Sequence, residues 1–404
     1  MVDNFKIKHL DHIKDKKYDI SFLDESMAEK IVNYHKSFPQ YKPTPFVELK
    51  NLTKRFGVKD IMVKDESYRF GLNAFKVLGG SYALGNYICE KLGMNLSELT
   101  YSRLISKEVR EKLGDITFIT ATDGNHGRGV AWTAHLLKQK CVVYMPFGSA
   151  KERVDNIAKE GADVTVQDCN YDEAVRMADQ QAKKNGWVLV QDTAWKGYED
   201  IPKWIMQGYM TMAYEMEQAL REQQKKPTHI FLQAGVGSLA SAVTGYFSNV
   251  YKGKEKPIIT IVEPNAADCL YQSSVEGKRV CITGSMQTIM AGLACGEPNT
   301  VACQLLMDYA DNFISVPDYF AAYGMRVLGN PLGDDKRVIS GESGAAPFGA
   351  ISKVLSDEKL SDVKEQLNIN ENSVLLFIST EGDTDKKNYR DVVWDGKYSS
   401  IIND

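Results

Sequence analysis

Short apolar runs alternate with helical stretches along most of the chain, and this alternation restricts the available folds more than any other feature. Between residues 115 and 192 the apolar runs are DITFITAT, CVVYMPF, DVTVQD and WVLVQD, and a stretch of helical periodicity separates each from the next. Parallel strands need long crossover connections, which are usually helices. Four strands with three crossovers therefore predict a small α/β domain built on a parallel sheet.

The same alternation resumes after Pro227. The runs THIFLQ, PIITIVEP and SVLLFIST are almost wholly apolar, which is typical of strands covered on both faces. We expect two doubly wound open sheets with helices on both faces. A large domain of residues 1–80 and 190–404 would contain a small inserted domain of residues 81–189. Ligands of such sheets bind beyond the carboxyl ends of the strands.

Composition excludes several classes of partner. The 404-residue chain has a formal net charge of -4 and no block of like charge, so neither nucleic acid nor an anionic membrane is expected. No segment reaches the roughly 18 apolar residues of a membrane span, and the N-terminus lacks the apolar core of a signal peptide. We therefore expect a cytoplasmic protein with a small-molecule ligand. The cysteines and histidines lack zinc-site spacing, so no metal is predicted.

Two predicted strands end in polar residues suited to ligand binding. In TATDGNHGRG the glycines would let the backbone approach a ligand while Asp123, Asn125 and His126 stay available. A tight turn with a helix N-cap is the simpler alternative. In FISTEGDTD, Ser379 and Thr380 could meet a heterocycle nitrogen, or they could satisfy local backbone groups.

A third strand ends in a glycine-rich loop. In LQAGVGSLAS, the residues Gly235, Val236, Gly237 and Ser238 lie between an apolar strand and a helix. Such a loop presents amide N–H groups and a helix dipole to an anion, so a phosphate fits it. The dinucleotide motif is incomplete, although Glu263 lies at roughly the distance of the ribose-binding acid. A non-enzymatic nucleotide sensor therefore stays open as an alternative.

Lys76 lies among apolar residues in GLNAFKVLGG. It could extend its ammonium to water from the rim of a helix, or it could be a desolvated nucleophile with a lowered pKa. The lysine, the asparagine loop, the anion loop and the strand-end hydroxyl together suit pyridoxal phosphate. This cofactor needs an amine for its aldehyde, a cradle for its phosphate, a donor for its phenolic oxygen and a partner for its ring nitrogen.

The order of these segments resembles the tryptophan-synthase β-like, fold type II family of pyridoxal-phosphate enzymes. YKPTPFVEL, VKDESYRFGLNAFKVLGG, DGNHGRG and AGVGS are similar to that family's early, lysine, asparagine and phosphate segments. Between about residues 15 and 397, five segments are most similar to the family's ammonia-lyases that act on 2,3-diaminopropionate: KDESYRFGLNAFK, TDGNHGRGVAW, QDTAWKGYEDIP, IMAGLACGEPN and STEGDTD. Ala74 and Leu78 replace a serine and an arginine of many relatives, which disfavours a serine or threonine dehydratase, the other enzymatic alternative.

The resemblance implies how the cofactor would be held. Lys76 would form the internal aldimine, and Asn125 would bind the phenolic oxygen. The loop of residues 235–238 would hold the phosphate, and Ser379, or else Thr380, would meet the pyridine nitrogen. A neutral hydroxyl there would leave the ring unprotonated, which favours prompt β-elimination over transamination.

The resemblance also implies the reaction. Diaminopropionate, D or L, would pass through an external aldimine and aminoacrylate to pyruvate and two molecules of ammonia. Lys76 would take the α-proton of one enantiomer and Asp123 that of the other. Asp123 and Asp192 would bind the β-ammonium group, which would supply the cationic partner that a buried Asp123 carboxylate needs.

Further contacts are expected around the substrate. Its carboxylate would lie near Asn125 and His126. Three aromatic residues could line the pocket, although such residues lie more often in the core: Tyr82, Trp195 and Tyr198.

The resemblance also suggests a homodimer. Cys269 and Cys295 lie in segments that flank the possible mouth of the site and could approach each other. A reducing cytosol disfavours a lasting disulfide between them.

Overall fold

The computed structural model describes residues 4–11, 17–95 and 98–399. In these ranges the strands are β1 (Lys6–His9), β2 (Phe46–Glu48), β3 (Asp60–Asp65), β4 (Thr117–Ala121), β5 (Lys140–Met145), β6 (Asp163–Val166), β7 (Val188–Leu189), β8 (His229–Gln233), β9 (Ile258–Pro264), β10 (Asn312–Val316) and β11 (Val374–Ser379). The helices are α1 (Glu25–Lys36), α2 (Lys50–Phe56), α3 (Val77–Leu92), α4 (Tyr101–Leu104), α5 (Lys107–Leu113), α6 (Asn125–Leu136), α7 (Lys151–Lys159), α8 (Tyr171–Asn185), α9 (Asp200–Glu222), α10 (Ser238–Val250), α11 (Cys269–Glu276), α12 (Thr300–Tyr309), α13 (Asp318–Gly329), α14 (Glu342–Ser356), α15 (Ser361–Gln366) and α16 (Lys386–Val393). Among the described residues, no helix is both long and apolar enough to cross a bilayer.

The smaller sheet has the order β6-β5-β4-β7, and all its strands are parallel. Helices α6, α7 and α8 form the crossovers between consecutive strands. Side chains alternate across a strand, so Phe118 of β4 packs in the cluster that contains Val130 of α6, whereas Ile119 packs with Ala178 of α8. The predicted four strands and three crossovers, with helices on both faces, are confirmed.

The larger sheet has the order β1-β10-β9-β8-β11-β3-β2. Its five central strands are parallel, as predicted for a doubly wound sheet. Both edge strands are antiparallel, with Lys6 of β1 opposite Ser315 and Phe46 of β2 opposite Lys64. All strands of the smaller sheet fall between residues 117 and 189 and those of the larger sheet lie outside that range. The exact domain boundaries stay a prediction.

The glycine pair that follows Lys76 explains how α3 packs between helices α9 and α6. A Cβ placed on Gly79 would lie 2.6 Å from the Tyr209 ring of α9, and one on Gly80 would lie 3.3 Å from the carbonyl carbon of Gly129 in α6. These glycines therefore let α3 approach a helix on either side. Because Lys76 is the N-cap of α3, this packing fixes the start of the helix and with it the lysine.

A buried charge network supports the segment that leads to Lys76. Lys64 Nζ lies 2.6 Å from Glu215 Oε2, and Arg69 Nη2 lies 2.8 Å from both Glu215 Oε2 and Glu66 Oε1. Thr44 donates its hydroxyl to Glu66 at 2.6 Å. Two cations and two carboxylates balance one another, which buried charges require. The network ties β3 and the residues after it to helix α9.

Candidate active site

The two sheets place their strand ends around one cavity. Its lining includes residues from the loops that follow β4, β8 and β11 and from the start of α3. Ten of the residues predicted for the site line this cavity: Lys76, Asp123, Asn125, His126, Asp192, Gly235, Val236, Gly237, Ser238 and Thr380. Ser379 and the three aromatic candidates, Tyr82, Trp195 and Tyr198, are not among the residues that line it.

Lys76 extends into the cavity, where it donates a hydrogen bond to Asp192 Oδ2. Its side chain is only 18% exposed, so the alternative of a surface helix rim does not hold. Burial lowers the pKa of Lys76, but the neighbouring Asp192 carboxylate, together with Tyr209 and Asp123, raises it, and the net direction is upward. The lowered pKa of the desolvated-nucleophile alternative is therefore not found in the chain alone, because Asp192 pairs with the amine.

Asp192 joins the lysine to the glycine-rich loop. Its carboxylate also accepts a hydrogen bond from Tyr171 at 3.3 Å, and its backbone carbonyl accepts one from the Ser238 hydroxyl at 2.5 Å. Burial raises the pKa of Asp192, yet Lys76 beside it lowers the pKa to about 2. Asn299 also connects Asp192 to this loop, because its Nδ2 donates hydrogen bonds to the Asp192 carbonyl and to Ser238 Oγ, both at 3.1 Å. Tyr171 and Asn299 were missed by sequence reasoning.

The glycine-rich loop has the geometry of an anion cradle. Gly237 adopts a left-handed φ of +97°, and helix α10 begins at the next residue. A Cβ on Gly235 would lie 3.1 Å from the carbonyl oxygen of Gly292, so a side chain there would require the facing backbone to shift by a few tenths of an ångström. The amide N–H groups at this helix start have no helical partner and suit a phosphate.

Asp123 has a cationic partner within the chain. Arg153 of α7 places Nη1 3.6 Å from Asp123 Oδ2. Burial raises the pKa of Asp123, Arg153 and then Lys76 oppose that rise, and the net direction is upward. The expectation that the substrate must supply the partner is corrected here: thirty residues separate the aspartate from the arginine, and only the fold brings them together.

The Asn125 side chain is oriented by a second carboxylate. Asn125 Nδ2 donates to Glu381 Oε2 at 2.5 Å, and the Thr384 hydroxyl donates to the same oxygen at 3.0 Å. The other oxygen, Glu381 Oε1, is buried without a hydrogen-bond partner among the described residues. Sequence reasoning treated FISTEGDTD only as a possible hydroxyl site and missed this glutamate.

His126 is buried and its Nε2 donates to the Val190 carbonyl, 2.8 Å away. Burial lowers the pKa of His126, so the imidazole is neutral near pH 7. Its Nδ1 is then an acceptor and finds no partner among the described residues. A carboxylate would be bound better by backbone amides of this loop than by the ring.

The two candidate hydroxyls for a ring nitrogen are separated by the structure. Thr380 lines the cavity and its Oγ1 accepts from Gln233 Nε2 at 2.7 Å, which leaves its own hydrogen free for an acceptor. Ser379 is buried behind it and donates to the Glu381 carbonyl at 3.4 Å. Thr380 is therefore better placed than Ser379, the residue that sequence reasoning preferred.

The predicted aromatic lining is replaced by Tyr171. Tyr198 accepts from the backbone N–H of Gln191 at 2.8 Å, donates to the Leu189 carbonyl at 3.0 Å and stacks on Trp195. Tyr82 lies in the main hydrophobic core. Tyr198 is thus engaged in holding the end of β7, while Tyr171 reaches the cavity.

Cys269 and Cys295 both approach Gly235, yet both are free thiols in the structure. Cys269 Sγ lies 4.0 Å from the Gly235 carbonyl oxygen, and Cys295 Sγ would lie 3.2 Å from a Cβ on the same glycine. Burial raises the pKa of each thiol, so neither is activated as a thiolate.

Glu263, the acid considered for a nucleotide ribose, is fully buried. It accepts hydrogen bonds from the backbone N–H groups of Leu270 and Tyr271, at 3.0 and 2.6 Å. It therefore caps α11 and is not free to bind a ribose.

The residues of the cavity fit pyridoxal phosphate. They offer an amine at Lys76, an amide cradle after β8, the Asn125 amide and a hydroxyl at Thr380. Four buried polar atoms of residues that line it have no partner among the described residues: His126 Nδ1, Gln233 Oε1, Ser343 Oγ and Glu381 Oε1. Buried polar groups without partners are costly unless a bound group satisfies them, so this donor and acceptor set is that of a ligand site.

Comparison with known proteins agrees with this geometry. Residues 38–371 match the family model described as "Pyridoxal-phosphate dependent enzyme". The chain is 52% identical over 377 residues to the diaminopropionate ammonia-lyase of Escherichia coli (strain K12), with 93% of this chain and 94% of that protein covered. Crystal structures of the Escherichia coli enzyme are also similar. The complex with an aminoacrylate-PLP azomethine reaction intermediate has a TM-score of 0.90 at 47% identity, and the complex with D-serine has 0.91 at 47%, each covering 98% of both chains.

The similarity to the Escherichia coli enzyme extends over nearly the whole chain, and the family model includes Lys76, Asp123 and the loop of residues 235–238. The chain therefore belongs to the pyridoxal-phosphate dependent enzymes and, within them, to the diaminopropionate ammonia-lyase family.

Proposed function

We propose that the protein catalyses α,β-elimination of 2,3-diaminopropionate, in its D and L forms. One molecule of substrate and one of water give pyruvate and two molecules of ammonia. The observation that carries this proposal is the Asp123 carboxylate, which lines the same cavity as Lys76 and the phosphate cradle. A carboxylate at this position suits a substrate whose side chain ends in an ammonium group.

Pyridoxal phosphate, when bound, supplies the aldehyde and the electron-withdrawing ring that make the substrate α-proton acidic. The residues proposed to hold it are Lys76 at the aldehyde, Asn125 at the phenolic oxygen and Thr380 at the ring nitrogen. The loop of residues 235–238 would bind the phosphate through its backbone N–H groups. Asn299 supports this loop through Ser238.

Two groups on the chain are proposed to move the α-proton. Lys76 would accept it from one enantiomer, since its amine lies in the cavity beside Asp192. Asp123 would accept it from the other enantiomer. Both groups line the cavity, and an acceptor on either side would explain the use of both enantiomers.

The β-amine must depart as ammonia, because an amide ion is a far poorer leaving group. The side chains of Asp123 and Asp192 would bind the β-ammonium and keep its proton in place during departure. Asp192, which accepts a hydrogen bond from Lys76, lines the same cavity as Asp123 and would contact the β-ammonium there. Tyr171, which donates to Asp192 at 3.3 Å, would keep that carboxylate oriented.

The test is pyruvate release by the purified protein with D- and L-diaminopropionate, L-serine and L-threonine. Pyruvate chiefly from diaminopropionate supports the proposal, while preference for serine or threonine would make the protein a dehydratase. Asp123→Asn should lose activity with diaminopropionate far more than any activity with serine, because only the former brings a second ammonium. Equal losses with both substrates would contradict the proposed role of Asp123.

We also propose that the protein is a cytoplasmic homodimer. The dimer is supported by the resemblance to fold type II enzymes, and the compartment by the unpaired cysteines among the described residues, which suit a reducing environment. Light scattering of the purified protein tests the dimer.

A further inference from the structure

A second cavity opens beside the proposed active site. It has a volume of about 680 Å³ and shares Asp123 and Tyr171 with the catalytic cavity. This volume lies in the range of small-molecule sites. Arg153 lies at the boundary, since it lines the second cavity and pairs with Asp123.

Arg153 is buried to an extent that is rare for an arginine without a bidentate partner. Its side chain is 8% exposed, and its Nε has no hydrogen-bond partner among the described residues. The stem lies over Gly124, where a Cβ would meet Arg153 Cδ at 3.1 Å. The guanidinium is thus fixed next to the loop that carries Asp123 and Asn125.

More negative than positive charge faces this guanidinium. Carboxylates from four elements act on it, from the loop after β4, the loop after β11, the start of α14 and the N-cap of α16: Asp123, Glu381, Glu342 and Asp385. Two other cations are close but already paired: Lys76, which acts on Asp123, pairs with Asp192, and Arg128 of α6, which lines a small pocket with Arg153, pairs with Glu160.

Glu342 shows the effect of this imbalance. Burial, with Glu381 adding to it, raises the pKa of Glu342 to about 7. Its side chain accepts a hydrogen bond from Asn388, which does not supply the missing positive charge. The Glu342 carboxyl is therefore close to taking a proton at neutral pH. Arg153 is the cation that attracts the other three carboxylates of the cluster.

We propose that Arg153 is a positioning residue, which keeps the Asp123 carboxylate ionised and held at the edge of the catalytic cavity. This inference rests on the proposed function, in which Asp123 accepts a proton or binds the β-ammonium. Only an ionised carboxylate can do either. Without the guanidinium 3.6 Å away, burial would favour the neutral acid.

The experiment compares Arg153→Met, Arg153→Lys and a control, Lys151→Met. Lys151 lies in the same helix but is exposed and pairs with Asp155 on the surface. For each holoenzyme, kcat and KM for D- and L-diaminopropionate are measured from about pH 6 to about pH 9, a range that includes the pKa of about 7 of Glu342. Cofactor content is measured by absorbance, and folding by circular dichroism.

In Arg153→Met the acid limb of kcat/KM should move to higher pH. The loss relative to wild type should be roughly tenfold greater at about pH 6 than at about pH 8, as expected when one close opposite charge is removed. Arg153→Lys, which keeps the charge, should recover most of the profile. Lys151→Met should match the wild type. If Arg153→Met fails to fold, Arg153→Gln against Arg153→Lys makes the same comparison.

Two results would overturn the inference in distinguishable ways. If the wild type is active and Arg153→Met has the same pH profile as the wild type, even with a reduced kcat, then Arg153 has only a structural role. A wild type that releases no pyruvate from diaminopropionate at any pH would instead contradict the proposed function, and this inference with it.

Discussion

The buried charge network beneath the lysine segment can be tested by Glu215→Gln. The Glu215 carboxylate accepts from Lys64 at 2.6 Å, from Arg69 at 2.8 and 2.9 Å and from Tyr41 at 2.8 Å. The substitution keeps the size of the side chain but leaves two buried cations facing one carboxylate, Glu66. Breaking a buried ion pair in this way costs about 3–5 kcal/mol.

This cost translates into a measurable shift. An unfolding entropy of about 2.1 cal/mol/K per residue over 404 residues gives about 0.85 kcal/mol per kelvin, so the melting temperature should fall by about 4–6 °C if unfolding is a single transition. Glu222→Gln, at the exposed end of the same helix, is the matched control and should change stability by less than about 0.5 kcal/mol.

The pH dependence of the unfolding free energy of Glu215→Gln tests whether the loss of stability comes from the missing negative charge. Although burial raises the pKa of Glu215, Arg69 and Lys64 lower it to about 2, below the ordinary value of 4.5. A depressed pKa stabilises the fold above the ordinary value, and that contribution is lost as the pH falls through about 2. The difference in unfolding free energy between wild type and Glu215→Gln should therefore shrink below about pH 4.5. A difference under about 1 kcal/mol at pH 7, or one that is constant with pH, would refute this reasoning.

Further predictions concern the cavity. A methyl group at Gly292 would lie 3.1 Å from Ser343 Oγ and 3.5 Å from Asp123 Oδ2. Gly292→Ala should therefore raise KM for diaminopropionate severalfold, with little change in melting temperature. An unchanged KM would show that substrate does not occupy this space. Asp192→Asn removes the anion that raises the pKa of Lys76, so apoenzyme should capture pyridoxal phosphate faster near neutral pH while kcat falls. Stopped-flow absorbance measures the capture rate, and a slower capture would contradict this account of the ion pair.

The site was predictable where local sequence determines backbone shape. The loop from Gly235 to Ser238 follows an apolar strand and precedes a helix, and its glycines reveal a close backbone approach without any tertiary information. The same holds for the loop that carries Asp123 and Asn125. In a parallel sheet the loops that follow the strands lie at the same end, so it was also predictable that these loops would meet at one site.

Residues whose role depends on distant partners could not be predicted. Arg153 and Glu381 act on the Asp123 loop from other elements; nothing in the local sequence marks Arg153, and the strand-end segment FISTEGDTD indicates a site but not the bond from Asn125 to Glu381. Strand β3, with the sequence DIMVKD, was missed because its charged residues look unsuited to burial. Its Lys64 is nevertheless buried through its pair with Glu215, which comes from a helix about 150 residues later.

Tyr198 illustrates a different limit. A tyrosine near a predicted site can line the pocket or hydrogen-bond to the backbone. The direction of its hydroxyl, which the sequence does not reveal, decides between these roles. Here the hydroxyl is satisfied by the backbone at the end of β7, and Tyr171 takes the position beside Asp192.

The central claim is that Lys76 holds pyridoxal phosphate in a site that eliminates ammonia from diaminopropionate. The most direct measurement is the visible absorption spectrum of wild type and Lys76→Ala after incubation with the cofactor, followed by addition of diaminopropionate. We predict a lysine-bound cofactor band in the wild type that is absent in the variant, with pyruvate formed by the wild type alone. A wild type without the band, or a variant that keeps both the band and the activity, would contradict the account.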